Sequence, residues 1–139
     1  MKVFVDTNVL IDFVCNRESF YDDAELLFSY ALAGELEICF SDISVINTLY
    51  VGKKYSFTTE ELSSQIMTLL GFCQISVINT VTMFKALSSD WKDKEDAAQF
   101  FCALDSNSEV IITRNVKDFA LSDIQVLTPS DFLSSLDTE

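Results

Sequence analysis

The stretch Met1-Lys-Val-Phe-Val-Asp-Thr-Asn-Val-Leu10 predicts a strand, a turn and a helix in that order. Residues 3–5 form a short apolar run of the kind that suits a strand buried on both faces. Thr7 and Asn8 are residues that often open a helix, and apolar residues follow them at helical spacing. Asp6 therefore lies at the carboxyl end of a strand, where ligands bind in open α/β sheets. It is also an ordinary candidate for a helix N-cap, and this stretch leaves both interpretations open.

The rest of the chain alternates between predicted strands and predicted helices. Further strands are expected at residues 36–40, 74–78, 110–113 and 124–127. Helices are expected at residues 21–33, 58–70, 80–87 and 95–103, with two more beginning after a cap at Ser41 or Asp42 and at Pro129. Gly34 ends the first of these helices, a capping box opens the helix at 58–70, and Thr128 caps the helix that begins at Pro129. Leu104 is expected on the inner side of the helix at 95–103. Such alternation implies right-handed crossovers and a parallel sheet. We expect residues 1–139 to form a single α/β domain, a three-layer α/β/α sandwich around a parallel sheet of four or five strands.

Composition limits the chemistry that is available to this chain. It has 139 residues and no His, which excludes imidazole bases, Ser-His and Cys-His arrangements, and His-containing zinc sites. Acidic residues outnumber basic ones 22 to 9, so no basic stripe is available to grip a phosphate backbone. The four Cys lie far apart among apolar neighbours and are predicted to be buried thiols. With no signal peptide and no run of membrane length, a cytoplasmic location is expected.

Polar residues follow several predicted strands at what would be one edge of the sheet. They are Asp6 and Asn8 after the first strand; Ser41 and Asn47 after the second; Thr113, Asn115 and Asp118 after the fourth; and Asp93, Glu95 and Asp96 at the start of the preceding helix. Any one of these residues has an ordinary explanation as a cap, a turn residue or a partner of the helix dipole. Together, however, several carboxylates in one pocket need compensation, which Mg²⁺ or Mn²⁺ would supply. Water activated by such a cation would be a nucleophile that needs no His.

Three motifs resemble the PIN domain, a nuclease fold found in many bacterial toxins. They are Val5-Asp-Thr-Asn-Val-Leu10, Asp93-Lys-Glu-Asp-Ala-Ala-Gln99 and Ile111-Ile-Thr-Arg-Asn-Val-Lys-Asp-Phe119. The resemblance covers nearly the whole chain and implies a metal-dependent ribonuclease acting on single-stranded RNA. It implies that Asp6, Asp96 and Asp118 are the catalytic and metal-binding acids, with Thr113 and Asn115 in the last polar cluster.

Asn47 is the main departure from the family pattern, which usually has a Glu early in the helix after the second strand. An amide oxygen can still bind a metal, but it carries no charge and cannot act as a base. We expect the Asn47 side chain to point across the pocket towards Asp6. Asp93 and Glu95 are substitute ligands, and the few candidate phosphate contacts are Lys53, Lys54, Arg114 and Lys117. An antitoxin protein and a second copy of the chain are candidate partners.

Other functional classes remain as alternatives to a toxin ribonuclease. The same fold with weak or lost catalysis would be an RNA- or protein-binding module, and Asn47 would mark that loss. A haloacid-dehalogenase-type phosphatase also begins with a strand and an Asp, but it needs a second Asp where Asn8 stands. A P-loop enzyme is excluded because the chain has no Gly-x-x-x-x-Gly-Lys stretch.

Overall fold

The computed structural model describes residues 1–137 and confirms an α/β architecture. The strands are β1 (Lys2–Val5), β2 (Glu37–Ser41), β3 (Gln74–Ser76), β4 (Val110–Ile112) and β5 (Gln125–Leu127). The helices are α1 (Thr7–Val14), α2 (Tyr21–Leu32), α3 (Asp42–Lys54), α4 (Thr59–Leu69), α5 (Thr80–Ser88), α6 (Lys94–Asp105) and α7 (Pro129–Asp137), with a 3₁₀ turn at Val116–Phe119.

The five strands form one parallel sheet in the order β3-β2-β1-β4-β5. β1 lies at the centre and pairs with β2 on one side and with β4 on the other. The strand order reverses between β1 and β4, because the chain first builds outward from β1 to β3 and then returns to the other side. This reversal leaves a crevice at the carboxyl ends of β1 and β4, the place where open α/β sheets bind ligands.

Alternating side chains of the central strands fill two separate apolar layers. Val3 and Val5 face a core that includes residues of α1, α2, α4 and α7. Phe4 faces the opposite core, which is built mainly from α6 and also holds Trp91 and Phe119. The predicted three-layer sandwich is therefore confirmed, and so is the prediction that all four Cys are buried free thiols.

Several local predictions hold, while others shift by a residue or two. The capping box at Thr58 and Glu61 is present, and Gly34 has the positive φ of +79° that ends a helix. β3 stops at Ser76 rather than at residue 78, because the N–H of Ile78 donates instead to Asp42 Oδ1 at the start of α3. No helix within residues 1–137 is both long enough and apolar enough to cross a membrane.

The prediction for the inner face of α6 is wrong at Leu104, which is 40% exposed. Helical spacing instead buries Gln99, Phe100 and Cys102 along with the two alanines of the motif. The error arises because Leu104 lies outside the face of α6 that packs on α5 and the sheet, while a polar residue occupies a position on that buried face. That polar residue, Gln99, is part of the candidate site.

Candidate active site

Asp6 is both an N-cap and a member of the crevice between β1 and β4. Its Oδ1 accepts the N–H of Thr7, which opens α1, at 2.9 Å. Its Oδ2 accepts the hydroxyl of Thr113 at 2.8 Å and Nδ2 of Asn8 at 3.2 Å. The side chain is almost fully covered, with 7% of Asp6 exposed. The two interpretations of Asp6 are therefore compatible, since one oxygen caps the helix and the other joins the crevice.

The β4 end of the crevice is fixed by hydrogen bonds that converge on Thr113 and Asn8. Nδ2 of Asn8 also donates to Thr113 Oγ1 at 3.1 Å, and the N–H of Asn115 donates to the same hydroxyl at 3.1 Å. Oδ1 of Asn8 accepts the N–H of Arg114 at 3.2 Å. The side chains of Asn8 and Thr113 thus hold the Asp6 carboxylate in one orientation, whereas Asn115 contributes its backbone and leaves its side chain exposed.

Gln99 is a buried member of the site to which the sequence analysis assigned no role. Its Nε2 donates to Thr7 Oγ1 and to Ser44 Oγ, each at 2.8 Å, and approaches Asp6 Oδ1 at 3.4 Å. Gln99 is 1% exposed, and its Oε1 has no hydrogen-bond partner within the described chain. The signal that could have revealed it was a lone polar residue three positions after Asp96, among residues that a helix from Lys94 buries.

The Ser41 prediction is explained by the same network. Ser41 Oγ caps α3 by accepting the N–H of Ser44 at 3.0 Å, and the two serine hydroxyls are 3.0 Å apart. Ser44 Oγ in turn contacts Thr7 Oγ1 at 2.7 Å. The hydroxyl groups of Ser41, Ser44 and Thr7 and the side-chain amide of Gln99 therefore form a hydrogen-bond network that links α3, α1 and α6 next to Asp6.

The acids at the start of α6 combine capping with a strong negative field. Asp93 is the N-cap, and its Oδ1 accepts the N–H groups of Glu95 and Asp96 at 2.9 and 3.0 Å. Partial burial raises the pKa of Asp96 to about 7, and the charges of Asp93, Asp6, Asp118 and Glu95 add to the rise. Asp6 and Asp118 therefore both act electrostatically on Asp96.

The pKa of Asp6 is also raised, and the cause is chiefly burial. The Glu95 carboxylate raises the pKa further, while hydrogen bonds from Thr113, Thr7 and Gln99 lower it by favouring the charged form. Perturbed acids in a crevice are the usual mark of a functional site, since burial and like charges work against ionisation there. A cation close to these carboxylates would relieve both effects.

Asn47 makes a different contact from the one expected. Its Nδ2 donates to Glu95 Oε1 at 2.8 Å, so its hydrogen bond goes to the first turn of α6 rather than to Asp6. The reason is that α6 begins beside α3, and Glu95 is the exposed acid of its first turn. An amide in this position satisfies Glu95, whereas a carboxylate would repel it.

Arg114 is occupied by an ion pair with a buried acid, Asp12, that the sequence analysis did not single out. The guanidinium donates Nε to Asp12 Oδ2 at 2.7 Å and Nη2 to Oδ1 at 3.3 Å, and it lies 4.0 Å from the ring centre of Phe20. Asp12 is 1% exposed, and Arg17 approaches the same carboxylate at 3.4 Å. The charge of Arg114 is therefore used to pair Asp12, while Lys117 remains exposed.

The donors present suit a hard cation, although the side chains are not gathered around one point. Within residues 1–137, no three Asp, Glu or Cys side chains are grouped closely enough to hold a metal ion. Asp96 is half-buried and Asp118 is exposed on the 3₁₀ turn, whereas Asp6 is buried. Carboxylate and hydroxyl oxygens of this kind are the donors that Mg²⁺ and Mn²⁺ prefer. Asp6, Asp96 and Asp118 are the residues that would hold such an ion.

A comparison with known protein families identifies the family to which this fold belongs. The sequence pattern described as the PIN domain matches residues 2–117. The chain belongs to the PIN domain family. A curated relative, Ribonuclease VapC1 of Aquifex aeolicus (strain VF5), is 26% identical in an alignment of 142 residues. This alignment covers 99% of this chain and 96% of the relative.

Solved structures agree with this assignment. A toxin-antitoxin complex from Klebsiella pneumoniae contains a chain that superposes on this PIN domain with a TM-score of 0.67 at 27% identity. The superposed region covers 91% of this chain and 97% of the Klebsiella chain. VapBC2 from Rickettsia felis, bound to a DNA fragment from its promoter, gives a TM-score of 0.65 at 19% identity, covering 92% and 98% of the two chains. At that lower identity the likeness concerns the fold alone.

Proposed function

We propose that this PIN domain chain is a divalent-cation-dependent endoribonuclease that cleaves single-stranded RNA and serves as the toxin of a toxin–antitoxin pair. The observation that carries the proposal is that Asp6, at the strand reversal, and Asp118 lie near enough to Asp96 to act on its carboxyl group; with burial and the charges of Asp93 and Glu95, they raise the pKa of Asp96 to about 7. The similarity to a ribonuclease over nearly the full length of both chains supports the same activity. The toxin–antitoxin complex among its structural relatives supports the proposed partner.

The three acids have two kinds of task in this proposal. Asp6, held by Thr113 and Asn8, is the fixed ligand, because its orientation is set by hydrogen bonds on both oxygens. Asp96 and Asp118, which are less buried, complete the cation site by rotation. When bound, a divalent cation supplies Lewis acidity and makes water a better nucleophile at neutral pH, so no imidazole base is required.

Cleavage of a labelled single-stranded RNA tests the activity. We expect cleavage with Mg²⁺ or Mn²⁺, none with EDTA, and a loss of about 100-fold or more in Asp6→Asn, Asp96→Asn and Asp118→Asn, since each removes a charged ligand. Asp131→Asn is the matched control, because it removes one exposed carboxylate from the first turn of α7. Equal activity of Asp6→Asn and Asp131→Asn would contradict the proposed site.

A second candidate function is a PIN-fold binding module with weak or lost catalysis. It is favoured by Asn47, which pairs with Glu95 where the family usually has a Glu. Thermal unfolding with added cation, read beside the cleavage assay, separates the two functions. A ligand that binds only the folded state stabilises it by about 2.7 kcal/mol at one hundred times its Kd, so the shift in Tm reports cation binding independently of cleavage. We expect Mg²⁺ or Mn²⁺ to raise the Tm of the wild type more than that of Asp6→Asn. Cation binding without cleavage would favour the binding module.

A further inference from the structure

A cavity of about 530 Å³ lies beside the candidate active site and is bounded by two short segments. Residues 90–93, the loop before α6, form one wall, with Asp96 at its edge. Lys117 and Asp118 of the 3₁₀ turn, followed by Ala120 and Leu121, form the other. This volume falls within the range of roughly 300–1,000 Å³ that is typical of sites for small ligands. Two of the proposed metal ligands, Asp96 and Asp118, thus also line a space large enough for part of a substrate.

Lys92 and Lys117 are the two lysines that face this cavity. Both are exposed, and neither has an ion pair or a side-chain hydrogen bond within residues 1–137. Three other basic residues are used elsewhere: Arg17 and Arg114 pair with Asp12, and Lys94 Nζ donates to the carbonyl of Ser89 at 2.8 Å. In a chain of formal charge −13, two free cations at one cavity are therefore the local feature that can attract a phosphate.

Apart from the two lysines and four aspartates, Asp90, Asp93, Asp96 and Asp118, the lining of the cavity is apolar, and part of it is rigid. Trp91 stacks on Phe100 with ring centres 5.0 Å apart and meets Phe119 edge-on at 5.6 Å, so its ring is fixed from behind. Leu121, on the opposite segment, is 56% exposed. A nucleobase presents two flat faces that are favourable to cover with such side chains. The cavity therefore offers cations for a phosphate and apolar surface for a base.

We propose that this cavity is the subsite for the RNA nucleotide next to the cleaved phosphate. In this subsite, Lys92 and Lys117 bind the phosphate, and Leu121 together with the edge of Trp91 covers the base. The proposal rests on the proposed ribonuclease function and adds to it the residues that hold the substrate. It also explains how so acidic a chain can engage RNA, because the lysines lie on the two segments that carry Asp93, Asp96 and Asp118.

The salt dependence of RNA binding tests the phosphate contacts. A short labelled single-stranded RNA is titrated in EDTA, which keeps it intact, and its affinity is measured by fluorescence anisotropy from about 50 to 200 mM salt. The slope of log affinity against log salt is negative, and each lost phosphate contact on a single strand should reduce its absolute value by about 0.7. We therefore expect Lys92→Gln and Lys117→Gln each to reduce the absolute slope by that amount, and the double variant to reduce it by about twice as much.

Matched controls distinguish the cavity from a general effect of charge. Lys85→Gln makes the same charge change on the exposed surface of α5, away from the cavity lining, and should leave the slope unchanged. Leu121→Ala should weaken binding several-fold at an unaltered slope, because it removes apolar surface and no charge. Leu32→Ala, at an exposed leucine near the end of α2, should have no effect.

Two results would overturn the proposal, and they differ in what else they overturn. If the wild type binds and cleaves RNA while Lys92→Gln and Lys117→Gln behave like Lys85→Gln, the subsite is wrong and the proposed ribonuclease function stands. If the wild type neither binds nor cleaves RNA with Mg²⁺ or Mn²⁺, both the subsite and the ribonuclease function fail.

Discussion

The hydroxyl of Thr113 donates a 2.8 Å hydrogen bond to Oδ2 of Asp6 and so joins the carboxyl ends of β4 and β1. The two residues are 107 positions apart in the chain, but Val5 and Ile112 are directly paired in the sheet. Asp6 and Thr113, which directly follow these two paired residues, therefore lie side by side at the carboxyl edge of the sheet. This single bond sits at the reversal of strand order, where the candidate active site lies.

Replacing Thr113 tests how far the orientation of Asp6 matters. Thr113→Val keeps the shape of the side chain but leaves a buried carboxylate with one donor fewer, which should cost about 1–3 kcal/mol and strongly reduce RNA cleavage. Thr113→Ser keeps the hydroxyl and should retain most of the activity. Thr48→Val is a control, because that buried hydroxyl donates within its own helix to the carbonyl of Ser44. Similar cleavage by the two Val variants would show that the Thr113 bond has no catalytic role.

The raised pKa of Asp96 predicts how stability without a cation depends on pH. In the folded chain the pKa is about 7, above the usual value of 3.8, so the folded state binds more protons between these values. Stability should therefore fall as pH rises from about 4 to about 7. The fall should be smaller in Asp96→Asn, which has no proton to lose there. Denaturant unfolding in EDTA at several pH values measures this difference, and parallel pH profiles for the two proteins would contradict it.

Gln99 should matter through its amide rather than through its size. Gln99→Met fills similar space but removes the donor to Thr7 and Ser44, and we expect a loss of about 1–3 kcal/mol in unfolding free energy. Gln99→Glu places a second buried carboxylate near Asp6, so its cost should be larger at pH 8 than at pH 4, where protonation removes the repulsion. If both variants unfold with the same dependence on pH, Asp6 and residue 99 are not electrostatically coupled.

The pair formed by Asn47 and Glu95 makes a double-variant experiment possible. Asn47→Glu alone should lower the Tm in EDTA, since two carboxylates would then meet where an amide now donates at 2.8 Å. Adding Glu95→Gln restores a donor and should recover the Tm. With Mn²⁺, we expect Asn47→Glu to bind the cation more tightly and to cleave RNA faster, because it adds a fourth charge to the site. A folded Asn47→Glu protein with no gain in cleavage would reject the idea that this position has lost a glutamate.

Arg114 is predicted to be important for stability and unimportant for holding RNA. Arg114→Gln leaves Asp12 buried with only the longer contact from Arg17, and breaking a buried pair in this way costs about 3–5 kcal/mol. The double variant with Asp12→Asn removes the unpaired charge and should recover much of that loss. RNA binding by the double variant should equal that of the wild type. A clear loss of affinity in this folded protein would return Arg114 to the list of phosphate contacts.

Local sequence determined most of the secondary structure and the first acid of the site. The apolar run before Asp6, the capping box at Thr58 and the glycine at position 34 each act within one turn or one strand, so spacing along the chain predicts them. The alternation of strands and helices likewise implied a parallel sheet, because a helix between two strands returns the chain to the edge from which the first strand began.

Only the tertiary structure decided which polar groups meet. Gln99 reaches Thr7 across 92 positions, Asn47 reaches Glu95 across 48 and Arg114 reaches Asp12 across 102. These pairings depend on where α3, α6 and the segment after β4 lie relative to α1 and to one another. Side-chain packing sets that arrangement, and motif spacing does not encode it. The sequence could therefore indicate that acids gather at one edge of the sheet, whereas the orientation of each acid and its neutral partners followed from the fold.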